Sequence, residues 1–339
     1  MPLRLQAEIL ELKTRHPFII ARGTQDTYRT VHIRLTDQDG LEGWGEAAPQ
    51  RYYGETPETV LAALNLYATA LPDDPLLLED AESELATVLR GNAAARAGLS
   101  AALHDLAGKR MGHPVHRLFG LDPRKCPQST FTIGIDTPDR ITMKVREADP
   151  YPILKVKLGT NDDVAILQAI RDGTSKELRV DANGGWTRKQ AVRMLPVLDE
   201  YGVTVLEQPL APDDLEGLAE VTRQARIPVI ADESCLTAAD IPGLVGKVDG
   251  INIKLAKTGS LREALRMIAL ARAHHMVVMV GCMIESSIGI TAAAQITPLV
   301  DLCDLDGAAL LGRDPFVGAS IESGQLRLPE GPGLGLSAR

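Results

Sequence analysis

Apolar and polar residues alternate over Val31-His32-Ile33-Arg34-Leu35-Thr36, the period-two pattern of a strand with one buried face. Asp37-Gln38-Asp39-Gly40 then reads as a turn, and Leu41 to Ala47 resumes, which predicts a hairpin. From Thr56 to about Gly112 the spacing is helical, most clearly in the Ala-rich stretch Asn92–Lys109, where Leu99, Leu103 and Leu106 recur at helical intervals. Strands followed by helices predict a small α+β domain over residues 1–120.

From about Thr130 the pattern changes. Six short apolar runs, Pro152–Lys157, Leu178–Asp181, Val203–Glu207, Pro228–Asp232, Gly250–Lys254 and Val277–Gly281, are each followed by a helical stretch. The first five end in a charged residue, and the steps between those ends are 24, 26, 25 and 22 residues. A βα unit repeated at that length predicts a parallel barrel with one helix per strand. A doubly wound sheet would alternate too, but no G-x-G-x-x-G follows the first strand. The barrel is expected over residues 121–315, with 316–339 as a C-terminal segment packing back on the first domain.

Composition excludes several classes. At 339 residues, 45% hydrophobic and 24% charged, the chain is ordinary for a soluble protein, and 4% aromatics require an aliphatic core. A net charge of −9 argues against a nucleic-acid partner. No apolar run approaches the ~18 residues of a membrane helix, so no membrane partner is expected. Charges in Met1–Glu8 stand where a signal peptide would be apolar. The cysteines Cys126, Cys235, Cys282 and Cys303 form no C-x-x-C pair, which fits a reducing, cytoplasmic setting. The oligomeric state, homo-oligomer included, is left open.

Chemistry in such a barrel sits at the C-terminal strand ends. Asp181, Glu207 and Asp232 would converge from three neighbouring strands, and three like charges at close range require a cation between them. Oxygen ligands favour a hard divalent ion, Mg²⁺ foremost. Strand parity puts Lys155 and Lys157 on one face, with Val156 on the other, and likewise pairs Asn252 with Lys254. Lys257 has the opposite parity to Lys254 if the strand continues, and reads as a solvated loop lysine. Two lysines facing each other across a metal, their pKa lowered by the cation and desolvation, are equipment for moving a proton α to a metal-held carboxylate.

K-x-K at Lys155–Lys157, D-A-N at Asp181–Asn183, E-Q-P at Glu207–Pro209, A-D-E-S at Ala231–Ser234 and I-N-I-K-L-A-K-T-G at Ile251–Gly259 together resemble the enolase superfamily, muconate-lactonizing-enzyme subgroup. Gly43-Trp44-Gly45-Glu46 is similar to the family's capping domain and Gly331–Gly335 to its tail. The resemblance implies a modified (β/α)7β TIM barrel with an α+β N-terminal capping domain. It implies Mg²⁺ on Asp181, Glu207 and Asp232, Lys157 and Lys254 as opposed base and acid, and Lys155 as a charge beside the ene-diolate that helps to hold Lys157.

The fold alone does not select the reaction, since racemisation, cycloisomerisation and dehydration share this site. Asp304 and Asp306 share one strand face beyond the metal, and an acidic pair there suits a substrate ammonium. That D-x-D resembles dipeptide epimerases of the L-Ala-D/L-Glu type, which implies a small-molecule dipeptide substrate of the peptidoglycan kind. Pro17–Thr24 resembles that group's flexible loop, in which Arg22 is either a surface arginine or a partner for a substrate carboxylate. Thr132 and Cys282, at other strand ends, are further candidate substrate contacts, and Tyr52-Tyr53 a second closing loop. His113, His116, His274 and His275 lack the spacing of a metal or catalytic motif. The alternatives at the same site are N-acylamino-acid racemase, o-succinylbenzoate synthase and cycloisomerase. A more remote one is a metal-binding protein without catalysis, which would have no use for opposed lysines.

Overall fold

The computed structural model describes residues 3–339. It opens on a long antiparallel hairpin, β1 (Arg4–Ile20) and β2 (Gly23–Thr36), and β2 pairs in turn with β3 (Glu42–Ala47). The turn over Asp37–Gly40 is present, and the Asp37 carboxylate accepts the N–H groups of Asp39 and Leu41. Pro17–Thr24 is not an irregular loop. Phe18, Ile19 and Ile20 pair with Gln25, Thr24 and Gly23, so the stretch is the far end of the hairpin, and Gly23 takes up the positive φ beside its turn.

Helices α1 (Pro57–Tyr67), α2 (Leu78–Val88) and α3 (Ala93–Met111) complete this domain. Val31, Ile33 and Leu35 of β2 meet Leu99, Leu103 and Leu106 of α3 in its core. At Gly43 and Gly45 any Cβ would collide with the α3 backbone, so the helix lies close against β3 only because side chains are missing there.

A short α4 (Val115–Leu118) leads to eight parallel strands in sequence order. They are β4 (Phe131–Ile133), β5 (Ile153–Lys157), β6 (Glu177–Asp181), β7 (Val203–Glu207), β8 (Val229–Ala231), β9 (Gly250–Ile253), β10 (Val277–Gly281) and β11 (Leu302–Asp304). A parallel bridge between Ser129 and Cys303 joins the two ends of the sheet. The connections are α5 (Pro138–Glu147), α6 (Asp163–Gly173), α7 (Arg188–Glu200), α8 (Leu215–Gln224), α9 (Ile241–Leu244), α10 (Leu255–Thr258) with α11 (Leu261–Ala273), and α12 (Ser287–Ala294). This is the modified (β/α)7β barrel with an α+β cap that the resemblance implies, and its parallel strands recur at the spacing read from the sequence. Outward residues such as Leu154, Val156, Val180, Ile251 and Ile253 are buried against the helices in one continuous aliphatic core. Among the described residues no helix is long and apolar enough to cross a membrane.

Asp105 of α3 joins distant parts of the chain. Its buried carboxylate accepts the N–H of Trp44 in β3 at 2.8 Å, the N–H of Leu334 near the C-terminus at 2.7 Å and the Lys109 ammonium at 2.8 Å. Asp105→Ala strands two amide donors in a dry interior, at ~1–3 kcal/mol each. Thermal unfolding of that variant is expected to register a loss on the order of 2–5 kcal/mol with the barrel otherwise intact; an unchanged Tm would refute the tie.

Candidate active site

The parallel register sets the polar strand ends level. Lys157 pairs with Asp181, and Asp181 with Glu207, across β5, β6 and β7. Asp232 and Lys254 follow directly on β8 and β9. Asp181, Glu207 and Asp232 are buried, and each offers a carboxylate oxygen within 4.8 Å of the others. Asn183 Oδ1 and Asn252 Oδ1 are buried nearby without a hydrogen-bond partner. Three hard anionic oxygens with unpartnered carbonyl oxygens beside them form a donor set that fits a divalent cation such as Mg²⁺.

The lysines flank this triad. Lys157 Nζ lies 2.6 Å from Asp181 Oδ2, and Lys254 Nζ 2.7 Å from Asp232 Oδ2. Lys155 contacts Asp304 at 2.6 Å, Glu207 at 2.7 Å and Asp181 at 3.3 Å. Lys155 and Lys157 share the Asp181 carboxylate, at 3.3 and 2.6 Å. Burial would lower Lys254, but the Asp232 and Glu207 carboxylates reverse this and hold it well above the ordinary lysine value. A divalent ion on Asp232 and Glu207 would offset the two carboxylates that raise Lys254, and that is the setting in which a lowered lysine pKa is expected. Asp181 is held well below the usual carboxylate range: burial pushes it up, and the Lys157 and Lys155 ammonium groups outweigh that. For Glu207, burial and then the Asp181 charge prevail and push it up to about 7.

A cleft of about 860 Å³ opens over these groups. Lys155, Lys157 and Lys254 line it, together with Thr132, Cys282, Asp304 and Asp306. The first domain closes it with the hairpin end around Arg22 and the turn carrying Tyr52 and Tyr53. Arg22 is not a plain surface arginine. It donates to Glu233 Oε1 at 2.6 Å and to the Asn183 carbonyl at 2.9 Å, and stacks 4.4 Å over the Tyr52 ring. The two aspartates of the D-x-D differ. Asp304 is already bonded to Lys155 and to the Thr130 hydroxyl. Asp306 accepts the Thr132 N–H at 2.6 Å and has no cation within ion-pair reach among the described residues; burial and then Asp304 push it up to about 7.

Both halves of the chain match family models: "Mandelate racemase / muconate lactonizing enzyme, N-terminal domain" over residues 5–120, and "Enolase C-terminal domain-like" over 140–339. The chain belongs to the enolase superfamily. It is 42% identical to an L-Ala-D/L-Glu epimerase of Bacteroides thetaiotaomicron, covering 96% of this chain and 85% of that one. It is 37% identical to a hydrophobic dipeptide epimerase of Roseobacter litoralis, over 98% of each. The crystal structure of a dipeptide epimerase from Enterococcus faecalis, complexed with Mg and the dipeptide L-Leu-L-Tyr, superposes with a TM-score of 0.94 at 34% identity, covering 99% of this chain and 100% of that one.

In this superfamily site three further residues escape a strand-by-strand reading. Lys257, expected in solvent, is buried on Asp232 at 2.5 Å. Gln208, at a positive φ of 34°, accepts the Asp232 and Ser234 N–H groups at 2.9 and 3.2 Å, so it fastens the β8 end to the β7 end. Glu233 Oε2 is buried and unpartnered beside Arg22. The E-Q-P and A-D-E-S motifs contained Gln208 and Glu233, and only the fold shows their work. The histidines stay apart from the site: His116 is buried against Gln295, and His274 caps α11.

Proposed function

We propose that the chain is a Mg²⁺-dependent dipeptide epimerase that inverts the α-carbon of the C-terminal residue, with an Ala-Glu-type dipeptide of peptidoglycan origin as substrate. The observation that carries this reading is one cleft holding Lys157 and Lys254 on either side of the acid triad, with the carboxyl of Asp306 uncompensated beyond them. The relatives support it: they are named L-Ala-D/L-Glu, L-Ala-D/L-amino acid and hydrophobic dipeptide epimerases.

Asp181, Glu207 and Asp232 would hold the ion. When bound, it would hold the substrate carboxylate and offset the negative charge that builds as the α-proton leaves. One lysine Nζ accepts that proton from one face of the carbon while the other Nζ supplies one to the opposite face, and the roles exchange with direction. Lys155 keeps positive charge beside the carboxylate. Asp306 would pair with the dipeptide ammonium, and Asp304, occupied by Lys155, would keep Lys155 in place and add negative charge. The hairpin end and Tyr52–Tyr53 would exclude water. Incubating Ala-Glu in D₂O should exchange its α-proton and yield both epimers at glutamate; deuterium uptake that never reaches the second epimer overturns the epimerase reading.

Asp306 and Glu207 are both pushed up to about 7, so the pH profile of wild type beside Asp306→Asn tells the two apart. Below about 7 its carboxyl is protonated and cannot pair with an ammonium; above, it can. The kcat/KM for a free dipeptide should therefore rise through about pH 7, then fall as the substrate amine, ordinarily ~7.7–8.0, deprotonates. Asp306→Asn should erase the rising limb and cost ~10- to 150-fold, the equivalent of a charge-assisted contact of about 1.5–3 kcal/mol. An N-acylated dipeptide should lose little by the change. Wild-type preference for the N-acylated compound would favour an acylamino-acid racemase instead.

A further inference from the structure

Lys254 and Lys257 lie on the same turn of chain, and only one of them reaches the cleft. Lys254 lines it; Lys257 does not, and its side chain is wholly buried. The Lys257 ammonium has three protons and four acceptors around it. These are Asp232 Oδ1 at 2.5 Å, the Asp232 carbonyl at 2.6 Å, the Asn252 carbonyl at 3.0 Å and the Cys235 carbonyl at 3.2 Å. Asn252 in turn donates from its side chain to Glu207 Oε1 at 2.8 Å. One buried cation therefore grips Asp232 by side chain and backbone, fixes the turn that follows it, and braces the strand whose asparagine orients Glu207. Its grip on Oδ1 leaves Oδ2 as the Asp232 oxygen that faces Lys254.

We propose that Lys257 is a positioning residue that sets the Asp232 carboxylate, and through Asn252 the Glu207 carboxylate, for the divalent ion, and takes no part in proton transfer. The inference rests on the triad being the metal site. Partners that orient metal ligands are worth 10- to 100-fold in metal affinity. A counter-reading makes opposite predictions: a cation next to a metal site repels the metal, so if Lys257 were only a buried charge, its removal would tighten binding.

The test is calorimetric titration of MgCl₂ into the full-length, metal-stripped protein, with Tm and kcat alongside. Lys257→Met is expected to weaken Mg²⁺ binding by about 10- to 100-fold, while kcat at saturating Mg²⁺ recovers to within several-fold of wild type. Lys257→Gln, which keeps an N–H₂ donor for Asp232 and Asn252, should fall between, and it carries the measurement if the Met variant does not fold. Equal or tighter Mg²⁺ binding by a folded variant overturns the proposal, as does a lowered Tm with unchanged affinity. Loss of kcat that Mg²⁺ does not restore would place Lys257 in the chemistry and also overturn it. If the wild type itself fails to bind Mg²⁺, the metal reading falls first and the role of Lys257 with it.

Discussion

Lys157→Ala and Lys254→Ala will each stop net epimerisation, by at least the ~10²–10⁴-fold that a positioned acid or base contributes. Inversion needs a proton removed from one face of the carbon and another delivered to the opposite face, so neither lysine can stand in for its partner. Each variant keeps one base on one side of the triad, since Lys157 rests on Asp181 and Lys254 on Asp232. Each should therefore still exchange the α-proton of a single epimer with solvent. The two variants should show opposite preferences when L-Ala-L-Glu and L-Ala-D-Glu are incubated separately in D₂O and followed by NMR. Near-wild-type epimerisation by either would remove the two-base mechanism. Exchange of the same epimer by both would mean the lysines do not address opposite faces.

The same parity argument that located these lysines misplaced Lys257, for a physical reason. Parity holds while the strand continues. Here β9 ends at Ile253, Lys254 caps the single turn α10, and Lys257 lies three residues on, where a helix returns a side chain to the same face. Thr258-Gly259 carried the signal, because Gly259 adopts a positive φ and closes that turn. The regular spacing of apolar runs made the barrel legible, and the register then set Lys157, Asp181 and Glu207 level without further information. Contacts across the barrel were not legible. Asp304 and Lys155 are 149 residues apart, and their ion pair depends on how the first and last strands close. Arg22 likewise meets Glu233 only because a hairpin from another domain reaches over the strand ends. Local periodicity contains neither fact.

Removing the metal will abolish activity, and substituting its three ligands will do so with different consequences for folding. A site that loses Lewis-acid stabilisation worth several kcal/mol slows on the order of 10³-fold or more. Chelation should also lower Tm, because Mg²⁺ at one hundred times its Kd stabilises the folded state by ~2.7 kcal/mol. The ligands differ in how the metal-free protein uses them. Asp232 lies well below the usual carboxylate range: burial opposes this, but Lys254 and Lys257 outweigh it. A depressed folded pKa means its charge stabilises the fold at neutral pH. Asp232→Asn leaves two buried ammonium groups without their carboxylate, so the metal-free Tm should drop. Glu207 is the reverse. Burial and the Asp181 charge push its pKa up to about 7, so its ionised form contributes less to the metal-free fold than that of Asp232, and a neutral amide is the milder change there. Glu207→Gln should keep the metal-free Tm close to wild type and lose only the increment that Mg²⁺ adds. Thermal scans with and without Mg²⁺, run beside an α-proton exchange assay, read all of this together. Activity retained in chelator by Asp181→Asn, Glu207→Gln or Asp232→Asn would sink the metal-dependent mechanism. A Glu207→Gln protein as destabilised without metal as Asp232→Asn would show instead that Glu207 is held ionised by Lys155 and Asn252.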